Sequence, residues 1–133
     1  MIFYTRHSFL TRGMDGYSYG FFAVIRESKR WDISLLRHEE EHLRQFRASW
    51  GLSFFLYYLF DERRLQYEAQ AYAKSVDNGM PILTAARCLC SFYGLKGLTE
   101  QEAIEEIYAY ITVRSVDTSW SPRHGVGSWG HSI

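Results

Sequence analysis

The sequence predicts an α+β fold, in which a small N-terminal antiparallel β-sheet packs on a bundle of about four to five helices. Three observations lead there. Residues 2–10 and 17–26 are rich in Phe, Tyr, Ile and Val, and the turn segment Thr11-Arg12-Gly13-Met14-Asp15-Gly16 lies between them. From Asp32 onward, apolar residues recur at helical spacing, punctuated by caps and glycines. A chain of 133 residues that is 47% hydrophobic and 17% aromatic is large enough for one core and is no disordered segment. One compact domain is therefore expected over 1–114, followed by an irregular tail over 115–133 that is rich in Ser, Gly, Trp and His.

The two aromatic stretches read as a hairpin or part of a small antiparallel sheet. In the second, Tyr17, Tyr19, Phe21 and Ala23 alternate with Ser18, Gly20, Phe22 and Val24. Both faces are partly apolar, so this strand is expected to be covered on both sides. Asp32 or Ser34 should cap a helix running to about Ser49, with Leu35, Leu36, Leu43, Phe46 and Trp50 on its apolar side. A short aromatic helix follows over Ser53–Phe60. The next opens at Asp61 or Glu62 and stops near Asn78-Gly79, with Pro81 beyond. Leu83–Tyr93 forms a further helix closed by Gly94. Thr99 and Glu102 make a capping box that opens a last helix to about Arg114.

Formal net charge is zero, which argues against a nucleic-acid partner. Cys88 and Cys90 flank one residue, and on a helix such neighbours point apart, so reduced thiols are expected. The start of the chain lacks a signal-like apolar stretch, and the run Phe54–Phe60 is too short to span a bilayer. These features predict a cytoplasmic chain without a membrane span, or one released without an encoded N-terminal signal.

Residues His38-Glu39-Glu40-Glu41-His42 match the HExxH signature of zinc-dependent peptidases. At 3.6 residues per turn, positions four apart lie about 40° around a helix, so both imidazoles leave one face and can share a metal ion. Glu39 sits where it can serve as a base toward water at the metal. The run also matches the reversed HxxEH signature, in which Glu41 would be the base. Part of the charge reads as an ordinary solvated helix face, with Glu40 four residues before Arg44 and Arg37 four before Glu41. A catalytic zinc takes three protein ligands. The metzincin continuation is absent, because positions 45 and 48 are Gln45 and Ala48, and no His occurs between 43 and 123. A carboxylate on a following helix is therefore expected. Glu68 is the best candidate, because Ala69, Ala71 and Ala73 let its helix approach closely.

At this point the chain resembles a known family. His38-Glu39-Glu40-Glu41-His42-Leu43-Arg44-Gln45-Phe46, then Gly51, the apolar run Phe54–Phe60, and Tyr67-Glu68-Ala69-Gln70-Ala71-Tyr72 look like the small gluzincins, metallopeptidases encoded by many phages and bacteria. The resemblance covers about residues 20–77, and HExxH and the Glu-Ala helix are its specific parts. It implies a zincin-like fold, a zinc ion (Zn2+), His38, His42 and Glu68 as ligands, and Glu39 as general base. It also favours the forward reading of the motif. The chain departs from the pattern at one place. Many gluzincins carry an acidic residue three or four positions after the ligand Glu to orient a histidine; here those positions hold Ala71 and Tyr72.

The expected activity is hydrolysis of a peptide or protein substrate, by a metalloendopeptidase rather than an exopeptidase. The alternative is a zinc-binding scaffold that does not cleave. Tyr67, Tyr72, Tyr58, His124 and His131 are candidate oxyanion donors by chemistry alone. His124 or His131 could also reach the open metal position and keep the enzyme latent. The strand over 17–25 is the candidate edge for pairing with an extended substrate.

Overall fold

Asp32 starts the helix around which the chain is assembled. Its carboxylate accepts from the Leu35 amide at 3.1 Å and from the Ser34 hydroxyl at 2.7 Å, a side-chain N-cap. The structure is a computed structural model and describes residues 1–111. Among the described residues, three strands and five α-helices follow the order β1 (Ile2–Thr5), β2 (Gly16–Ser18), β3 (Ala23–Arg26), α1 (Ile33–Ala48), α2 (Leu52–Leu59), α3 (Asp61–Asp77), α4 (Ile82–Phe92) and α5 (Glu100–Tyr110). The architecture is α+β.

The sheet is mixed, not antiparallel as expected. Its order is β1-β3-β2, with β3 parallel to β1 and antiparallel to β2. Two local events produce this. After β1 the chain does not stay extended to residue 10: Ser8–Thr11 is a 3-10 turn, secured by the Thr11 hydroxyl donating to the Ser8 carbonyl at 3.0 Å. The second aromatic stretch then breaks in two, where the Tyr19 amide donates to the Phe22 carbonyl at 2.8 Å across a tight turn. Gly20 holds that turn at φ +91°, and a Cβ there would come within 2.7 Å of the Phe46 ring. Only β3 meets the expectation of cover on both sides, with Ala23, Val24 and Ile25 all buried.

Helix α3 packs against α1, α2, α4 and α5, and α1 also touches β2 and β3. Ala69, Ala71 and Ala73 are fully buried on α3 and permit this crowding. The Ser75 hydroxyl donates to the Ser34 carbonyl at 2.9 Å and ties the end of α3 to the start of α1. The main apolar cluster lies among α3, α4 and α5, around Tyr72, Leu89 and Ile107. Both halves of the capping box are present: the Glu102 amide donates to Thr99 Oγ1 at 3.2 Å, and the Thr99 amide donates to Glu102 Oε2 at 2.9 Å.

The expected apolar side of α1 is only partly right. Leu43 is buried, but Leu35, Leu36 and Phe46 are half-buried and Trp50 is 99% exposed. Trp50 and Gly51 both have positive φ, 53° and 82°, so the chain reverses there and carries the indole outward. The buried positions of α1 are His38, Glu39, Glu41, Leu43 and Gln45, a largely polar set. Helix α5 ends at Tyr110, short of Arg114, because Ile111 is extended. The tail over 115–133 lies outside the described residues. Cys88 and Cys90 are free. No described helix is long and apolar enough to cross a membrane.

Leu89 is fully buried in the α3–α4–α5 cluster, so Leu89→Ala should cost about 2–5 kcal/mol of stability. Denaturant unfolding measures it, and a loss below about 1 kcal/mol would contradict this packing.

Candidate metal centre

Helix α1 presents His38 and His42 one turn apart, and α3 brings Glu68 across to them. His42 Nε2 lies 3.2 Å from His38 Nε2, and Glu68 Oε2 lies 3.3 Å from the His42 nitrogen and 3.4 Å from the His38 nitrogen. The three donors form a nearly equilateral triangle and can hold a metal ion. Ligands about 2.0–2.1 Å from a tetrahedral ion sit about 3.3–3.4 Å from one another. Neighbouring ligands of an octahedral ion at that bond length sit about 2.8–3.0 Å apart. The observed edges lie nearer the tetrahedral value.

Glu68 is 2% exposed, and its Oε2 has no hydrogen-bond partner among the described residues. Burying a carboxylate oxygen is costly unless positive charge engages it, and here the two imidazoles, or a cation between them, can do so. Its other oxygen, Oε1, accepts from the Tyr57 hydroxyl of α2 at 2.5 Å. Burial disfavours the Glu68 carboxylate, but the His42 and His38 imidazoles outweigh it and hold the group well below the usual carboxylate range. His42 responds in kind. Burial favours its neutral form, but Glu68 and then Glu39 outweigh burial, and its pKa is pushed up to about 9 in the metal-free chain.

The network around Gln45 settles the tautomer of His42. The Gln45 amide nitrogen donates to the Tyr67 carbonyl at 2.9 Å and to Gln70 Oε1 at 3.0 Å. The Gln45 oxygen must therefore be the atom facing His42 Nδ1, 3.0 Å away. Nδ1 therefore carries a proton in either charge state; in the metal-free chain Nε2 carries a second one facing Glu68, and loss of that proton frees the Nε2 lone pair for a metal ion. His38 instead rests edge-on against the Tyr72 ring, with centroids 4.4 Å apart.

Glu39 is 4% exposed, and its Oε2 has no hydrogen-bond partner among the described residues. The residue opposite it on β2 is Gly16, where a Cβ would come within 2.6 Å of Glu39 Oε1. Burial raises the Glu39 pKa, and the two imidazoles only partly offset this. Glu39, the two histidines and Glu68 line one open cleft. Its other walls come from β2 and α2, including Tyr17, Phe54 and Tyr58.

The other sequence candidates divide as follows. Glu41 is also buried, but Arg44 Nε donates to both of its oxygens at 3.0 and 2.9 Å, and it does not line the cleft. The other Arg–Glu pair within α1 is Arg37 with Glu40, so both pairs on this helix are spaced by three residues and not by four as expected. Tyr67 and Tyr58 line the cleft, the latter sharing a hydrogen bond with Tyr17 at 2.8 Å. Tyr72 does not line the cleft, and its hydroxyl pairs with Tyr93 at 2.9 Å. His124 and His131 lie outside the described residues. The stretch 17–25 holds two strands with different positions: β2 is a sheet edge beside the cleft, whereas β3 is paired on both sides. Two contacts go beyond the motif: the Tyr57 hydroxyl on Glu68, and the hydrogen bond between His42 and Gln45. Gln45 was findable, since it stands three residues after His42 on the same helix. No comparable signal marks Tyr57, whose contact depends on how α2 meets α3.

No family model, curated protein or solved structure matches this chain.

Metal must displace the His42 proton, so apparent affinity should rise by up to about tenfold per pH unit between about 6 and 9. Chelator competition across that range measures it, and an affinity independent of pH would contradict the assignment of His42. The metal-free protein should behave oppositely. The stabilisation from His42 is complete below 6.5 and is lost as pH rises through about 9. The stabilisation from Glu68 is present above 4.5 and fades as pH falls through its lowered folded value.

Proposed function

We propose that the chain is a zinc-dependent peptidase of zincin-like architecture, with His38, His42 and Glu68 as ligands and Glu39 as general base. The observation that carries this reading is the sharing of one cleft by the donor triangle and a buried, unpaired carboxylate of a neighbouring residue. Two imidazoles and one carboxylate at near-tetrahedral spacing suit zinc. Bound there, zinc would supply a Lewis acid that acidifies water and polarises a carbonyl.

The chain's own residues perform the remaining work. Glu39 accepts a proton from the attacking water and returns it to the leaving amine. Burial raises its pKa, which brings its two protonation states closer in energy at neutral pH. Gln45 keeps the His42 proton on Nδ1. The edge of β2, unpaired among the described residues, offers backbone groups to an extended peptide, and the aromatic wall suits uncharged side chains. Tyr58 and Tyr67 remain the candidate donors to a developing oxyanion.

A second reading, a zinc-binding scaffold without hydrolysis, is favoured by one feature. The positions beyond Glu68 that would carry an acid to orient a histidine hold Ala71 and Tyr72. Metal analysis with a peptide-library assay on the wild type and Glu39→Gln separates the two. The peptidase reading expects about one zinc per chain in both proteins, and a fall in cleavage of at least about 100-fold in the variant. Zinc without cleavage in the wild type would leave the scaffold. A related variant, Gly16→Ala, should keep zinc but lose cleavage, because its methyl group displaces Glu39; unchanged kcat/KM would contradict that role for β2.

A further inference from the structure

We propose that Tyr57 is a positioning residue that confines Glu68 to one-oxygen coordination and so keeps a coordination place open for solvent. The inference rests on the metal-binding half of the reading above and not on proteolysis. A carboxylate can engage a metal through one oxygen or through both. With both, Glu68 would add a fourth protein donor and fill the place that a catalytic site leaves free. The structure divides the two oxygens between different tasks. Oε1 takes the Tyr57 hydroxyl at 2.5 Å, and Oε2 is left without a hydrogen bond, facing the two imidazoles. Tyr57 is itself held in place. Arg64 Nη1 donates to its carbonyl at 3.2 Å, and the same guanidinium lies 5.9 Å from its ring centre. Its ring stands edge-on to His42, with centroids 6.5 Å apart. Helix α2 therefore contributes a single hydroxyl that orients the ligand donated by α3.

The next residue supplies the control. Tyr58 also lines the cleft, but its hydroxyl pairs with Tyr17 and not with Glu68. Tyr57→Phe removes one oxygen atom, and Tyr58→Phe removes its neighbour. The readouts are zinc affinity by chelator competition and the visible spectrum of the cobalt(II)-loaded protein, which reports coordination number. The expected result for Tyr57→Phe is a loss of zinc affinity of about tenfold or more, together with weakening of the strong four-coordinate cobalt bands as the second Glu68 oxygen enters. Tyr58→Phe should match the wild type in both. Wild-type affinity and spectrum in Tyr57→Phe would overturn the proposal, as would equal effects in the two variants. If Tyr57→Phe does not fold, the wild-type cobalt spectrum decides: intense four-coordinate bands support it, and weak bands of a higher-coordinate ion overturn it. A wild type that binds metal but cleaves no peptide sinks the peptidase reading and leaves this test intact. A wild type that binds neither metal overturns both.

Discussion

Helix α1 turns a polar face into the interior, and the fold is arranged around satisfying it. His38, Glu39 and Gln45 are buried there, and Glu68 meets them from α3. Burying a charged group costs several kcal/mol unless it is paired and hydrogen-bonded. The protein meets part of that cost with its own atoms. Gln45 satisfies His42, Tyr57 satisfies one oxygen of Glu68, and the imidazoles face the other. Two carboxylate oxygens, one on Glu39 and one on Glu68, still lack hydrogen bonds among the described residues. A divalent cation in the donor triangle would engage the Glu68 oxygen, and water beside that cation would give Glu39 a partner. Site and fold are in this sense one electrostatic problem.

Each layer of the structure serves that arrangement. Ser75 ties α3 to α1, where Glu68 reaches the imidazoles, while Ala69 and Ala73 let α4 and α5 pack against the other side of α3. On the opposite side, Gly16 gives β2 room beside Glu39. Helix α2 has only Ser53 buried and exposes Phe55 and Leu59, so it adds little to the core. Its contribution to the site is a wall of the cleft and one hydroxyl from Tyr57. The apolar cluster among α3, α4 and α5 anchors the far side of α3 and holds Tyr72 behind His38.

Much of this was legible from local pattern. Asp32, Asp61 and Thr99 mark helix starts through capping and charge chemistry, and all three helices begin beside them. The HExxH spacing places both histidines on one face by geometry alone, and the alanines around Glu68 signal a helix built for close contact. What could not be read depended on long-range placement. Parallel pairing of β1 with β3 arises from the 3-10 turn at Ser8–Thr11 and the break at Gly20, and alternation of apolar residues carries no information about either. Trp50 fits the helical apolar pattern, but the positive φ at Trp50 and Gly51 carries it outward. Glu39 and Glu41 are equivalent in the string of letters. They separate only when Arg44 claims one and Gly16 makes room for the other. Tyr57 stood within an aromatic run in which any of several residues had equal claim.

The most direct measurement is an anomalous-scattering map at the zinc edge, from crystals of the full chain grown with zinc. The account requires one strong peak about 2.0–2.2 Å from Nε2 of His38, Nε2 of His42 and Oε2 of Glu68, with solvent in the remaining position. An empty triangle at saturating zinc, or a peak elsewhere in the molecule, would contradict it.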